Sequence, residues 1–129
     1  MKGKAKRILA VDDEKCIREL LADFLSYHGY DVATASNGEE ALAQVDATKP
    51  HLVIMDIKMP GLDGLEVLRR IKTDHQQIGV VMLSAFGDSA TMQTARQAGA
   101  DYYLQKPVNL EQLREILRTW NQTSSGEIG

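Results

Sequence analysis

The chain has 129 residues, of which 43% are apolar and 26% charged, and a net charge of −3. That size fits one domain able to bury roughly two-thirds of its unfolded surface. The charge gives no global reason to bind nucleic acid, and no apolar run approaches the ~20 residues that span a bilayer.

Residues 1–5 read as a basic N-terminal tail, and the apolar run that follows is too short for a signal peptide. Arg7 to Val11 reads as a strand, ended by Asp12 and Asp13. Glu14 to His28 reads as a helix, with Ile17, Leu20, Leu21, Phe24 and Leu25 at helical spacing and Gly29 as its stop. Cys16 is the only cysteine, which rules out an intrachain disulfide and suits a reducing cytoplasm. Beside Ile17 it reads as a small buried hydrophobe. Tyr30 to Ala35 is a weakly alternating second strand. Asn37-Gly38 opens a helix carrying Ala41, Leu42 and Val45, which ends before Pro50.

His51 to Met55 is a third strand, apolar on both sides like a central parallel strand. Asp56 ends it, and Met59-Pro60-Gly61-Leu62-Asp63-Gly64 follows. Gly64 to Thr73 is a helix with Leu65, Leu68 and Ile71 inward. Val80 to Leu83 is a fourth strand, followed by Ser84. Ser89 to Gln97 is a helix with a poor apolar stripe, which predicts weak anchoring. Ala100 to Leu104 is a fifth strand, followed by Lys106-Pro107. Asn109 caps a last helix bearing Leu113, Ile116, Leu117 and Trp120. The domain is expected over 6–121, with 122–129 a flexible tail or the start of a linker. Alternating strands and helices with short connections imply an α/β fold, a doubly wound parallel sheet.

The chemistry concentrates at strand ends, where open parallel sheets place their sites. Asp12-Asp13-Glu14 puts three acids where a strand meets a helix, more than capping needs, and without a cation they repel one another. Mg²⁺ takes oxygen ligands, few carboxylates and several waters, a demand that Asp12, Asp13 and Asp56 fit. A carboxylate held ionised beside such a cation can attack phosphorus. Lys106, at another strand end, offers an ammonium to Asp56 or to a phosphoryl oxygen, and Ser84 offers a hydroxyl. No glycine-rich phosphate loop follows the first strand, which argues against a nucleotide phosphate there.

With these residues in order, the chain resembles bacterial two-component response-regulator receiver domains of the chemotaxis-regulator type. The resemblance spans roughly Lys6 to Trp120. It rests on Asp12-Asp13, Asp56, the Met59 to Gly64 segment, Ser84-Ala85, and Tyr103 followed by Lys106-Pro107. It implies a flavodoxin-like (βα)5 fold with strand order 2-1-3-4-5. It implies that Asp56 accepts a phosphoryl group from a histidine kinase or a histidine phosphotransfer protein. Mg²⁺ (or Mn²⁺) would be bound by Asp13, Asp56 and the backbone carbonyl of Lys58, with Asp12 acting through water. Lys106 and Ser84 would hold the phosphoryl oxygens, and the Lys106-Pro107 bond would be cis. Ser84 and Tyr103 would form a switch that alters the face built from the fourth helix, fifth strand and fifth helix.

Lys58 and Phe86 occupy positions where the family varies its hydrolysis rate. The side chain of Lys58 either adds a second cation near the phosphoryl group or points to solvent, and solvent is the favoured expectation. Phe86 is expected to shield the phosphoryl group from water, so Phe86→Glu should shorten its lifetime. Composition, the lone cysteine and the lack of a DNA-reading motif lead to the expectation of a cytoplasmic protein with no nucleic-acid or membrane contact through this domain, taken as a monomer with dimerisation on phosphorylation open. The resemblance implies a phosphoacceptor switch, at most self-phosphorylating and self-dephosphorylating, rather than an enzyme. An aspartyl-nucleophile phosphatase of the haloacid dehalogenase type is the main competitor, but it needs a second acid where this chain has Lys58. A pseudo-receiver is the other.

Overall fold

The computed structural model describes residues 5–85 and 87–126, with the backbone alone described over 124–126; residues 1–4, Phe86 and residues 127–129 lie outside it. Strands β1 (Arg7–Val11), β2 (Asp31–Ala35), β3 (Leu52–Asp56), β4 (Gly79–Ser84) and β5 (Tyr102–Gln105) alternate with helices α1 (Lys15–Tyr27), α2 (Gly38–Thr48), α3 (Gly64–Asp74), α4 (Ser89–Gln97) and α5 (Leu110–Gly126). The strands form one sheet in the order β2-β1-β3-β4-β5, and each neighbouring pair is parallel.

Successive residues of a strand point to opposite faces, so the apolar runs feed two cores at once. Ile8, Ala10, Leu52, Ile54, Val81 and Leu83 pack with Leu21 and Leu25 of α1 and with Leu113, Leu117 and Trp120 of α5. Leu9, Val11, Val53, Met55, Val80 and Met82 pack with Ala41 and Val45 of α2, with Val67, Leu68 and Ile71 of α3, and with Ala95 of α4. Every residue of β3 is buried, as a central strand requires. The fold class read from the alternation is therefore the observed one, and so is the strand order that the resemblance implied.

Several local expectations need correction. Cys16 is exposed. Leu21 and Leu25 face the sheet, and at about 100° per residue Cys16 lies about 140° from the first and on the opposite side from the second. Leu20, expected inward, is likewise exposed at 37%. In α3, Val67 is fully buried while Leu65 is only half-buried. Strand β5 begins two residues later than expected because Asp101 serves another purpose. Its Oδ2 accepts from Val80 N at 2.9 Å and from Lys72 Nζ at 2.8 Å.

Helix α5 continues through Gly126, past the boundary expected at Asn121. Asn121 Nδ2 donates to Leu117 O at 2.9 Å and to the Tyr30 hydroxyl at 2.7 Å, while Lys6 Nζ donates to Asn121 Oδ1 at 3.0 Å. These bonds tie the helix to β1 and to the turn before β2. The weak anchoring expected of α4 is present, since Ala95 is the only buried residue in it. Asn109 caps α5 as expected, with Oδ1 accepting from Gln112 N at 3.0 Å.

Candidate functional site

Parallel pairing brings every strand's C-terminal end to one edge of the sheet. Asp12 follows β1, Asp56 closes β3, Ser84 closes β4, and Lys106 follows β5. Residues far apart in sequence thereby meet at the edge where ligands bind in open α/β sheets.

Short backbone bonds hold the loops that carry them. Ile57 N donates to Leu83 O at 2.9 Å, Lys106 N to Ser84 O at 2.7 Å, and Gly64 N to Ile57 O at 2.8 Å. Asp63 caps α3 by accepting from Glu66 N at 3.0 Å, which fixes the far end of the loop after Asp56. At Gly64 a side chain has no room: a Cβ would fall on the Asp56 carbonyl oxygen and within 2.8 Å of Ile57 backbone atoms. The glycine is what lets α3 start directly against the strand end.

Asp12 is fully buried, Asp56 is 7% exposed, and Asp13 is exposed. One carboxylate oxygen from each lies within 4.8 Å of the others. Asp12 Oδ1 accepts from Glu14 N at 2.9 Å, and Asp56 Oδ1 accepts from Lys58 N at 3.1 Å. Lys106 Nζ donates to Asp56 Oδ2 at 2.8 Å and stands 3.0 Å from Asp12 Oδ2 and 3.6 Å from Glu14 Oε1. The Asp12 contact is a charge contact without hydrogen-bond alignment, so Asp12 Oδ2 stays buried and without a hydrogen-bond partner.

Burial raises the pKa of Asp56, and the charge of Asp12 adds to that; the hydrogen bond and charge of Lys106 offset it only in part. For Lys106, burial acts to lower the pKa, but the hydrogen bond to Asp56 and the close negative charges of Asp56 and Asp12 outweigh it and hold the ammonium above the ordinary lysine range. One ammonium thus faces more negative charge than it balances. A buried orphan oxygen and three converging carboxylates fit a hard, oxygen-seeking divalent cation.

The remaining expected residues fall around this pocket. Ser84 is 2% exposed, and its Oγ has no hydrogen-bond partner. The Lys106–Pro107 peptide is cis. Tyr103 is half-buried, its hydroxyl donating to Ala100 O at 3.3 Å and its ring 5.2 Å from the Arg96 guanidinium. The Lys58 side chain is 76% exposed and pairs with Asp88 at 3.6 Å. Phe86 lies outside the described residues. Sequence reasoning missed Arg18, whose Nη1 donates to the Asp12 carbonyl at 2.8 Å and braces the acidic loop. Its place one helical turn after Glu14 was the available signal.

Residues 8–118 match the family described as the response regulator receiver domain. The chain is 35% identical over 115 residues to sporulation initiation phosphotransferase F of Bacillus subtilis (strain 168), across 89% of this chain and 93% of that protein. It is 41% identical over 112 residues to the response regulator MprA of Mycobacterium leprae (strain TN), across 87% of this chain. The chain spans about half the length of that second relative, 49%. Among solved structures, a CheY-like response regulator receiver domain protein from Methanospirillum hungatei JF-1 superposes with a TM-score of 0.90 at 30% identity, across 96% of this chain and 99% of that one. No helix among the described residues is long and apolar enough to cross a membrane.

Proposed function

The chain belongs to the response regulator receiver domain family, phosphoacceptors of two-component and phosphorelay signalling rather than conventional enzymes, and we propose that Asp56 is its phosphoacceptor. The observation that carries this is the buried Asp56 carboxylate, held 2.8 Å from Lys106 and within 4.8 Å of two further carboxylates. A histidine kinase or histidine phosphotransfer protein is the partner that fits. A carboxylate oxygen of Asp56 attacks the phosphorus of the phosphohistidine. The P–N bond breaks, and its electron pair leaves with the imidazole.

Asp12, Asp13, Asp56 and the backbone carbonyl of Lys58 are the groups that would hold Mg²⁺. The acidic triad is typical of such sites in receiver domains. When bound, the ion supplies positive charge where phosphoryl oxygens accumulate negative charge. Lys106 serves the resting pocket and the phosphorylated one alike. It pairs with Asp56 before transfer and offers its ammonium to a phosphoryl oxygen afterwards. Ser84 has a free buried hydroxyl to donate to another such oxygen.

A shift at Ser84 also favours a signal outward. Ser84 pairs with Gln105 in the sheet register, two residues from Tyr103, and α4 beside them is anchored through Ala95 alone. A weakly held element next to a local charge change can be biased between two arrangements. We therefore assign the α4-β5-α5 face as the surface read by a downstream partner.

Acetyl phosphate with Mg²⁺, followed by intact mass, tests the reading. One phosphoryl group should be gained by the native chain and none by Asp56→Asn. A native chain that gains nothing, or a variant that still gains, overturns it.

A further inference from the structure

The opposite edge of the sheet, where the strands begin, holds a cavity of about 430 Å³. That volume lies in the range of small-molecule sites. Its apolar wall comes from Val45, Pro50, Ile78 and Trp120, and its cationic rim from Lys6, Arg7 and Lys49. Among the described residues no aspartate or glutamate lines it, although the chain as a whole carries a net charge of −3.

The three cations are held in place without an acid to neutralise them. Lys6 Nζ donates to Asn121 Oδ1 at 3.0 Å and stands 4.6 Å over the Trp120 ring. Arg7 donates from Nε to Thr48 O at 2.8 Å and from Nη2 to Lys49 O at 2.7 Å. Lys49 Nζ donates to Asp46 O at 3.1 Å. These acceptors are neutral amides and carbonyls, and among the described residues none of the three cations makes a salt bridge.

His51 adds a donor. Its Nδ1 accepts from Arg7 N at 2.9 Å, so in the neutral ring the proton sits on Nε2. Burial, with smaller contributions from the charges of Arg7 and Lys6, holds its pKa below the ordinary value. His75, also lining the cavity, is turned to Asp46 at 3.6 Å and is left out of the binding set. A cleft lined by one sign of charge over apolar walls concentrates counter-ions, and an apolar wall of Val45, Pro50 and Ile78 suits a flat group.

We propose that this cavity binds a small aromatic anion, with its ring against the apolar wall of Val45, Pro50 and Ile78 beside Trp120 and its carboxylate or phosphate toward Lys6, Lys49 and His51. The site is separate from the acidic pocket and stands whether or not Asp56 is phosphorylated.

Trp120 is the only tryptophan in the chain and lines this cavity, so its indole N–H resonance is a single reporter placed at the site. The full chain, in EDTA to keep divalent ions from the acidic pocket, is titrated with benzoate, phenyl phosphate and benzylamine. At least one of the two anions should shift the indole resonance saturably, and the arm that does so identifies the head group. Benzylamine should not. Lys49→Gly removes a cation at a position with φ 50°, where glycine is unstrained, so the fold is kept. Lys6→Gln provides a second variant. Affinity should fall at least fivefold in one of them. Absence of saturation by both anions, equal affinity in both variants, or an equal response to benzylamine overturns the proposal.

Discussion

Lys106 Nζ lies 2.8 Å from Asp56 Oδ2 across fifty positions of sequence, and the same ammonium is 3.0 Å from the fully buried Asp12. One cation thus spans the ends of β1, β3 and β5 and is the only basic side chain among the described residues that makes a salt bridge to the Asp12 and Asp56 carboxylates. The predictions below follow from that imbalance and from the backbone that holds it.

Replacing Lys106 by methionine keeps the apolar stem and deletes the charge. Breaking a fully buried ion pair costs about 3–5 kcal/mol, and the partial exposure of Lys106 discounts this to about 2 kcal/mol. Urea denaturation in EDTA should show that loss, and Mg²⁺ should restore more stability to the variant than to the native chain. Equal stability of the two proteins in EDTA would show that Lys106 does not balance the cluster.

Asp56→Asn should act in the opposite direction on stability. Burial raises the Asp56 pKa, so the folded state favours the protonated acid. The stabilisation from that group is fully present below the ordinary aspartate pKa of about 3.9. It is lost as pH rises through the raised folded value, and at neutral pH the buried charge is a cost. In EDTA near neutrality the asparagine variant should melt about 2–4 °C higher, corresponding to roughly 1 kcal/mol. A lower melting temperature would mean that the Lys106 pair dominates over burial.

The same shift governs cation binding. A ligating carboxylate must be deprotonated, so Mg²⁺ affinity should rise with pH through the raised Asp56 value and then level off. Isothermal titration across that window, which lies above the ordinary aspartate range, checks this. A flat profile would detach Asp56 from the metal site.

Ser84→Ala removes a buried hydroxyl that satisfies no partner. Unphosphorylated stability should change by less than about 0.5 kcal/mol or rise slightly, because no hydrogen bond is lost. Acetyl phosphate should still modify Asp56, but the accompanying NMR shifts at Tyr103 should shrink. A large stability loss without phosphate, or unchanged Tyr103 shifts, would contradict the role assigned to this hydroxyl.

Gly64→Ala places a methyl group on backbone atoms of Asp56 and Ile57, which have no side-chain freedom with which to yield. The loop must move, at a cost of about 2–4 kcal/mol, and phosphorylation should slow with it. Thermal melting and the acetyl phosphate assay read both effects. A variant with native stability would show that the loop has an alternative path.

Much of the candidate site was legible before any fold was known. An acid at the end of an apolar run is visible in Asp12 and Asp56, and a lysine before proline in Lys106, because strand ends are where periodicity stops. The fold class followed from the same alternation. The misreadings of helix faces share one cause, visible in Cys16, Leu20 and Val67. Helical spacing states that a helix has an apolar side, but the angle at which that side meets the sheet depends on packing from other elements. Asp101 escaped notice because its partners, Lys72 and Val80, lie on α3 and β4.

The linear chain by itself determined the alternation of strands and helices, the two-sided burial of β3, and which residue types stand at each strand end. These are local properties, written in side-chain period and in turn residues. Tertiary structure alone decided that Arg7 pairs with Asp31, that Met55 lies between Val11 and Met82, and that Lys106 reaches two carboxylates at once. It alone assembled the cationic cavity at the opposite edge, from the start of β1, the C-terminal end of α2, Trp120 of α5, and the residues leading into β3 and β4. Parallel pairing joins segments through crossovers, and no local pattern encodes which strands become neighbours.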